Sequence, residues 1–273
     1  MVGSVTQIEQ DLAALNTAIT AIADELHDAY SSYLTALGQA VSQQMILACY
    51  HVCTQGYPDG FLRLPVSQRQ HLQQTLRHLA QHVQEELLAQ LHVPIVPVNL
   101  LDEPETDEES PEPAATPETL TPAHLAQWQH DLEQAIVEEL RTASHAANRL
   151  LQQADVLPKK LPEPVLEAAA KADAAEGAGS TPNLLTMLVE TVDDADRDKP
   201  KSDAKGHAVM HIVAIYLRLA EIEFADTLVT AARTQIRSLT ARLKTLGREY
   251  QKKQRERAVA EAQAAWRSTW TDE

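Results

Sequence analysis

The stretch VTQIEQDLAALNTAITAIADELHDAYSSYLTALGQAVSQQMILAC (residues 5–49) decides the fold. Its apolar residues Val5, Ile8, Leu12, Leu15, Ile19, Ile22 and Leu26 step alternately by three and four, the seam of a coiled-coil-like helix. The pattern loosens through Tyr30, Tyr33, Leu37, Val41 and Met45 to Cys49, without a proline and with Gly38 as its one internal weak point. The spacing predicts a single helix of roughly 45 residues, about 68 Å long at 1.5 Å per residue.

Working outward, Gly56-Tyr57-Pro58-Asp59-Gly60 has the residue chemistry of a turn. Ser67 with Gln70 reads as a capping box. It opens a second helix whose face is Leu72, Leu76, Leu79, Val83, Leu87 and Leu91. Two amphipathic helices joined by a compact turn predict an antiparallel hairpin over residues 1–93. A Pro-rich acidic linker is expected over 94–120, because residues 102–118 carry eight acids, four prolines and no aromatic residue. Thr121 as cap and Pro122 in the first turn start the middle helices of 121–192. The first of these shows Leu125, Trp128, Leu132, Ile136, Leu140, Ala143, Ala147, Leu150 and Leu157; shorter helices are expected at 165–176 and from Thr181 to Val192. A charged linker follows at 193–206, then a long C-terminal helix within 207–273 with the seam Ile222, Ala225, Val229, Ala232, Ile236, Leu239, Leu243, Leu246 and Tyr250. The linker near residue 110 is either a crossover within one bundle or a separator of two units. The four separated amphipathic faces, each needing a partner, favour the crossover.

Composition agrees with an all-α chain. Only 4% of the 273 residues are aromatic, Gly numbers 8, and Ala, Leu, Gln and Glu dominate. No glycine-rich phosphate loop, dinucleotide fingerprint or G-x-S-x-G elbow is present, so no enzyme template is matched. The net charge of −16 makes the whole chain a poor non-specific polyanion binder. The N-terminus has no signal-peptide pattern, the longest apolar run is too short to span a bilayer, and the two cysteines are too few for a disulfide scaffold. These features predict a cytoplasmic protein.

Four constellations stand out. His78 and His82, four apart, share a helix face, and Cys49 and Cys53 lie four apart at the end of the first helix; together they are the metal candidates. No HExxH pattern or second cysteine pair accompanies them, so no cofactor is expected and the residues read equally as solvated or packed side chains. Tyr57 and Phe61 gather with Tyr30, Tyr33 and Tyr50 toward the hairpin tip, as local packing or as a docking pocket or surface. Arg233, Arg237, Arg242, Lys244, Arg248, Lys252, Lys253, Arg255 and Arg257 form a basic stripe on the last helix. Such a stripe is a solvated face, a match for an acidic partner or the chain's own linker, or a seat for nucleic acid or an anionic membrane. Trp266 and Trp270, on one face, suit a docking peg.

The segments YSSYLTALGQAVSQQMILACYHVCTQGYPDGFLRLPVSQRQHLQ (residues 30–73) and AEAQAAWRSTW (residues 260–270) resemble a family of conserved, uncharacterised helical proteins of cyanobacteria. The resemblance implies a cytoplasmic or thylakoid-facing soluble protein and no site residues.

The sequence therefore predicts a non-catalytic scaffold or adaptor. Its unmatched seams, Ile8 to Leu26 and Ile222 to Tyr250, would recruit partner helices or a second copy as a homodimer. The alternatives are a nucleic-acid or membrane-surface binder using 233–257, and a metal- or cofactor-holding bundle.

Overall fold

The computed structural model describes residues 5–92, 120–158, 182–192 and 207–270. Its α-helices are α1 (Val5–His51), α2 (Pro58–Arg63), α3 (Val66–Ala89), α4 (Pro122–Gln153), α5 (Leu219–Ala225) and α6 (Thr227–Thr269), of which α2 and α5 are short. The chain also forms an antiparallel pair of strands, β1 (Leu184–Val192) and β2 (His207–Ile215), in register from Leu184↔Ile215 to Val192↔His207. The expected helix at 165–176 and the charged linker 193–206 lie outside the described residues, as does all of the acidic linker 94–120 except Leu120.

The first helix runs as its seam predicts, for 47 residues. Four local expectations are corrected. The segment from Thr181 to Val192 contains a strand instead of a helix, and the C-terminal helical signal is preceded by strand β2. Both strands are rich in β-branched residues (Thr186, Val189, Thr191 and Val192 against Val209, Ile212, Val213 and Ile215), which fit a pleated surface. The seam from Ile222 is not one helix. Asp226 is extended at φ −120°, and its Oδ1 accepts the N–H groups of Leu228 and Val229, ending α5 and capping α6. The Gly56–Gly60 turn is a π-turn (Val52–Gly56) followed by the short helix α2. Finally, α3 opens on the carbonyl of Pro65, which accepts from Arg69 N–H at 3.0 Å, so Ser67 sits inside the helix rather than capping it. At α4, by contrast, the Thr121 hydroxyl accepts from His124 N–H while His124 Nδ1 accepts from Thr121 N–H, a capping box closed by histidine.

The chain divides into two compact units. The first comprises residues 1–33, 90–135 and 231–273. Here α1 and α6 run antiparallel: Asp11 meets Lys253 and Glu25 meets Arg242. Helix α4 also runs against α6, with Gln129 donating to Thr240. Ile8 and Leu12 pack with Ala260 and Tyr250, so the first and last helices share a core. Tyr30 stands edge-on to both Tyr33 (6.2 Å) and Trp128 (5.5 Å).

The second unit comprises residues 34–89 and 136–230. Its part of α1 forms an antiparallel hairpin with α3. Gly38 is buried where the helices approach closest: a Cβ there would stand 2.6 Å from Gln84 Cγ. The apparent weak point of the first helix is thus a contact point. Buried polar side chains of α4 tie down the strand pair. Asn148 donates Nδ2–H to the Ile215 carbonyl at 2.8 Å and accepts Ile215 N–H at 2.9 Å. The Ser144 hydroxyl accepts Leu217 N–H. Asn183, at φ 59° and buried, accepts Arg218 N–H and donates to Gln44. Every one of these groups is paired, as buried polar atoms must be.

Most of each seam expected to recruit partner helices is buried within the chain. Ile8, Leu12, Ile19, Ile22 and Leu26, and then Ile222, Val229, Ile236, Leu239 and Leu243, are buried, whereas Leu15, Ala232, Leu246 and Tyr250 are half-buried and Ala225 is exposed. Burying each such side chain stabilises the fold by about 2 kcal/mol. Exposing them to an outside helix would give up that burial.

Candidate functional site

The basic stripe divides in two. Arg233 points into the first unit, where its guanidinium makes a two-pronged pair with Glu133 and lies 5.1 Å from the Tyr33 ring centroid. Glu133 also accepts the Tyr30 hydroxyl at 2.6 Å; burial and this bond push the Tyr30 phenol well above its ordinary range. Arg242 pairs with Glu25. Lys253 pairs with Asp11 and Glu256, each at 2.9 Å, which raises the ammonium pKa and lowers that of Asp11. Arg257 meets Glu261. These four cations are matched within the fold. Arg237, Lys244, Arg248, Lys252 and Arg255 are exposed and make no ion pair among the described residues. The spacing of 237, 244, 248 and 255 puts them on one face. Lys244 and Arg248 also line a groove of about 640 Å³ against the start of α4, together with Gln129, His130 and Tyr250.

At the other end of α6, every residue from Glu261 to Trp270 is exposed. Trp266 and Trp270 stand side by side, ring centroids 5.7 Å apart, and each keeps about two thirds of its surface in solvent (67% and 66%).

The metal candidates are not brought together. His78 and His82 lie on the exposed face of α3, where His82 faces Glu85 and Glu86 at 3.8 and 3.5 Å. Cys49 and Cys53 are buried on another face, as free thiols. Among the described residues no three His, Cys, Asp or Glu side chains are grouped to hold a metal ion. Burial pushes the Cys49 thiol up to about 12, helped by neighbouring Cys53, and Cys53 up to about 11. A thiolate is what a metal or an electrophile meets, and both thiols stay protonated through the neutral range.

The tip aromatics Tyr57 and Phe61 are partly covered by neighbouring side chains and backbone. Tyr57 is half-buried, and its hydroxyl accepts Val213 N–H from β2 at 3.1 Å. Phe61 is half-buried beneath the Arg69 guanidinium, 5.8 Å from its ring centroid.

Two of the tip aromatics, Tyr50 and Phe61, also border a concavity. Helices α1 and α3, with the π-turn and α2, enclose a cavity of about 280 Å³. Its walls are apolar: Ile46, Phe61, Leu72 and Leu76 with the two thiols; Tyr50 and Arg77 stand at its exposed edge. The π-turn widens the helix where Cys53 faces this space, and such turns recur at functional sites. The readable signal was the pair of bare apolar residues Ile46 and Tyr50 just outside the seam of α1.

No family model matches the chain, and no curated protein or solved structure matches it either.

Proposed function

We propose that the protein is a non-catalytic scaffold or adaptor that docks a partner protein, or a second copy of itself, through the free end of α6. The observation that carries this reading is the exposed Trp266–Trp270 pair on an arm whose last ten described residues are all exposed. Paired indoles in solvent offer large, rigid apolar area at little entropic cost, the chemistry of binding hot spots. Among the described residues no helix is long and apolar enough to cross a membrane, which suits a cytoplasmic adaptor, as does the resemblance to the cyanobacterial helical family.

The experiment compares full-length chain with Trp266→Ala/Trp270→Ala as bait in nuclease-treated lysate, with sedimentation of each purified protein. A discrete partner or a dimer that disappears in the double variant is the expected result. Identical captures and identical sedimentation would refute docking through the indoles.

The five unpaired cations of α6 favour a second reading, in which that face binds a polyanion such as nucleic acid or an anionic membrane surface. Binding would then fall steeply with salt, each phosphate contact contributing about −0.9 to the log–log slope on duplex DNA. Charge reversal at Arg248, Lys252 and Arg255 should abolish it. Salt-insensitive binding would remove this reading.

A further inference from the structure

The cavity between α1 and α3 has a chemistry of its own. Its depth is apolar, walled by Leu72, Leu76, Phe61 and the thiols of Cys49 and Cys53. Both cysteines are buried and unoxidised, so they line the space as small hydrophobes. Among the lining residues one side chain carries a full charge, Arg77, and no carboxylate accompanies it. Arg77 is exposed at the edge and makes no ion pair among the described residues. Its neighbour at that edge, Tyr50, keeps 58% of its surface in solvent. The site thus has an apolar interior, with an unmatched guanidinium and a tyrosine among its exposed lining residues.

From this arrangement we infer that the cavity binds a small amphipathic carboxylate, its hydrocarbon tail among Leu72, Leu76 and the cysteines and its head on Arg77. Three observations fix the class. First, size: an apolar cavity of about 150 Å³ accommodates a benzene-sized guest, so 280 Å³ suits an aliphatic chain of about eight to ten carbons and excludes large lipids. Second, charge: the planar guanidinium matches a carboxylate with two parallel hydrogen bonds, whereas a cationic head would meet only repulsion. Third, polarity: the one wall hydroxyl besides Tyr50, that of Thr54, already donates to the Tyr50 carbonyl at 2.7 Å, and the carboxamide of Gln73 belongs to an exposed residue of the lining, so the interior offers little to a polar ligand. Water in such a space lacks the two to four polar partners it needs, and a hydrocarbon tail displaces it favourably.

The probes are octanoate and 1-octanol, titrated calorimetrically into full-length protein and into Arg77→Gln. Arg77 is exposed on α3, so the substitution leaves the core intact, which an unchanged helical circular dichroism spectrum verifies. Octanoate is expected to bind saturably, with affinity at least tenfold higher than octanol, and Arg77→Gln should remove that advantage while leaving octanol binding within twofold. A second readout places the ligand: saturating octanoate should slow modification of Cys49 and Cys53 by N-ethylmaleimide at least fivefold. Absence of saturable octanoate binding would overturn the proposal. So would equal binding of the alcohol, unchanged affinity in Arg77→Gln, or binding that leaves the thiols as reactive as before.

Discussion

Asn148 is the residue whose loss should tell most about how the second unit is held. Its carboxamide closes a two-bond ring with the backbone of Ile215, donating at 2.8 Å and accepting at 2.9 Å, and the side chain is only 4% exposed. Asn148→Ala leaves one buried N–H and one buried carbonyl of β2 without partners. Each orphaned group costs about 1–3 kcal/mol, so the pair would cost roughly 4 kcal/mol if nothing moved. Ile215 is the last residue of its strand, and the chain beyond it can shift to admit water, which brings the expected loss to about 3 kcal/mol. At 1.4 kcal/mol per decade this is about a hundredfold rise in local opening. Native-state hydrogen exchange at the Ile215 and Val213 amides reads it directly. Asn148→Asp is the control: it keeps the acceptor for Ile215 N–H but sets a carboxylate against the Ile215 carbonyl, and should do no better than alanine. Protection of Ile215 within threefold of wild type in Asn148→Ala would refute the reasoning, because it would mean that the bonds contribute nothing or that water replaces them without cost.

Further outcomes follow from the same geometry. Glu133→Gln strips the charge partner from Arg233, whose side chain is 17% exposed against 24% for Glu133, and should cost about 2–3 kcal/mol in urea unfolding. Arg242→Ala breaks a pair that is 57% and 46% exposed, screened by solvent, and should cost clearly less than Glu133→Gln; equal losses for the two variants would contradict the assignment by burial. Gly38→Ala gains up to about 1 kcal/mol of helix propensity, yet its Cβ would sit 2.6 Å from Gln84 Cγ and 3.3 Å from Gln84 Cα, so net destabilisation is expected in thermal melts. The thiols, raised by burial from 9.0 to about 12 and 11, are protonated in the folded state where the unfolded chain has already ionised. Folded pKa values above unfolded ones mean that this stability is complete below pH 9 and declines as pH rises from about 9 toward 12. Cys49→Ala/Cys53→Ala should flatten part of that decline. At pH 8, alkylation by iodoacetamide should run about a thousandfold slower for Cys49 and about a hundredfold slower for Cys53 than for free cysteine, and rates near that of the free thiol would refute their burial.

The long helices were legible because their signal is local. Alternating steps of three and four specify a helix and its buried side within any few turns, and Ile8 to Leu26 needed no knowledge of a partner. The Thr121 cap and the exposed Trp266 and Trp270 were equally readable, one from its chemistry and the other from the Ala-rich, unpatterned helix that carries it. The strands were not. Leu184–Val192 is a short apolar run without diagnostic period, and it becomes a strand only by pairing with His207–Ile215 beyond an intervening segment. Asn148 and Ser144 break the apolar face of α4 and could have been flagged as buried polar residues. That they grip the end of β2 required the pairing to be known.

The charge pattern carries the same lesson. Nine cations between Arg233 and Arg257 read as one stripe, since sequence records charge but not the carboxylates brought opposite it. Folding matches Arg233, Arg242, Lys253 and Arg257 with acids, three of them through Glu133, Glu25 and Asp11 more than a hundred residues or nearly so away in the chain, and leaves the face of Arg237, Lys244, Arg248, Lys252 and Arg255 open. What the sequence by itself determined was the long helices, their apolar sides and their charges, because those depend on neighbours within a turn or two. Which seams close on each other, which cations stay free, and where α1 and α3 leave an apolar cavity with a lone guanidinium at its edge were decided by tertiary structure. Those features are properties of pairs of surfaces, and no single segment encodes the surface it will meet.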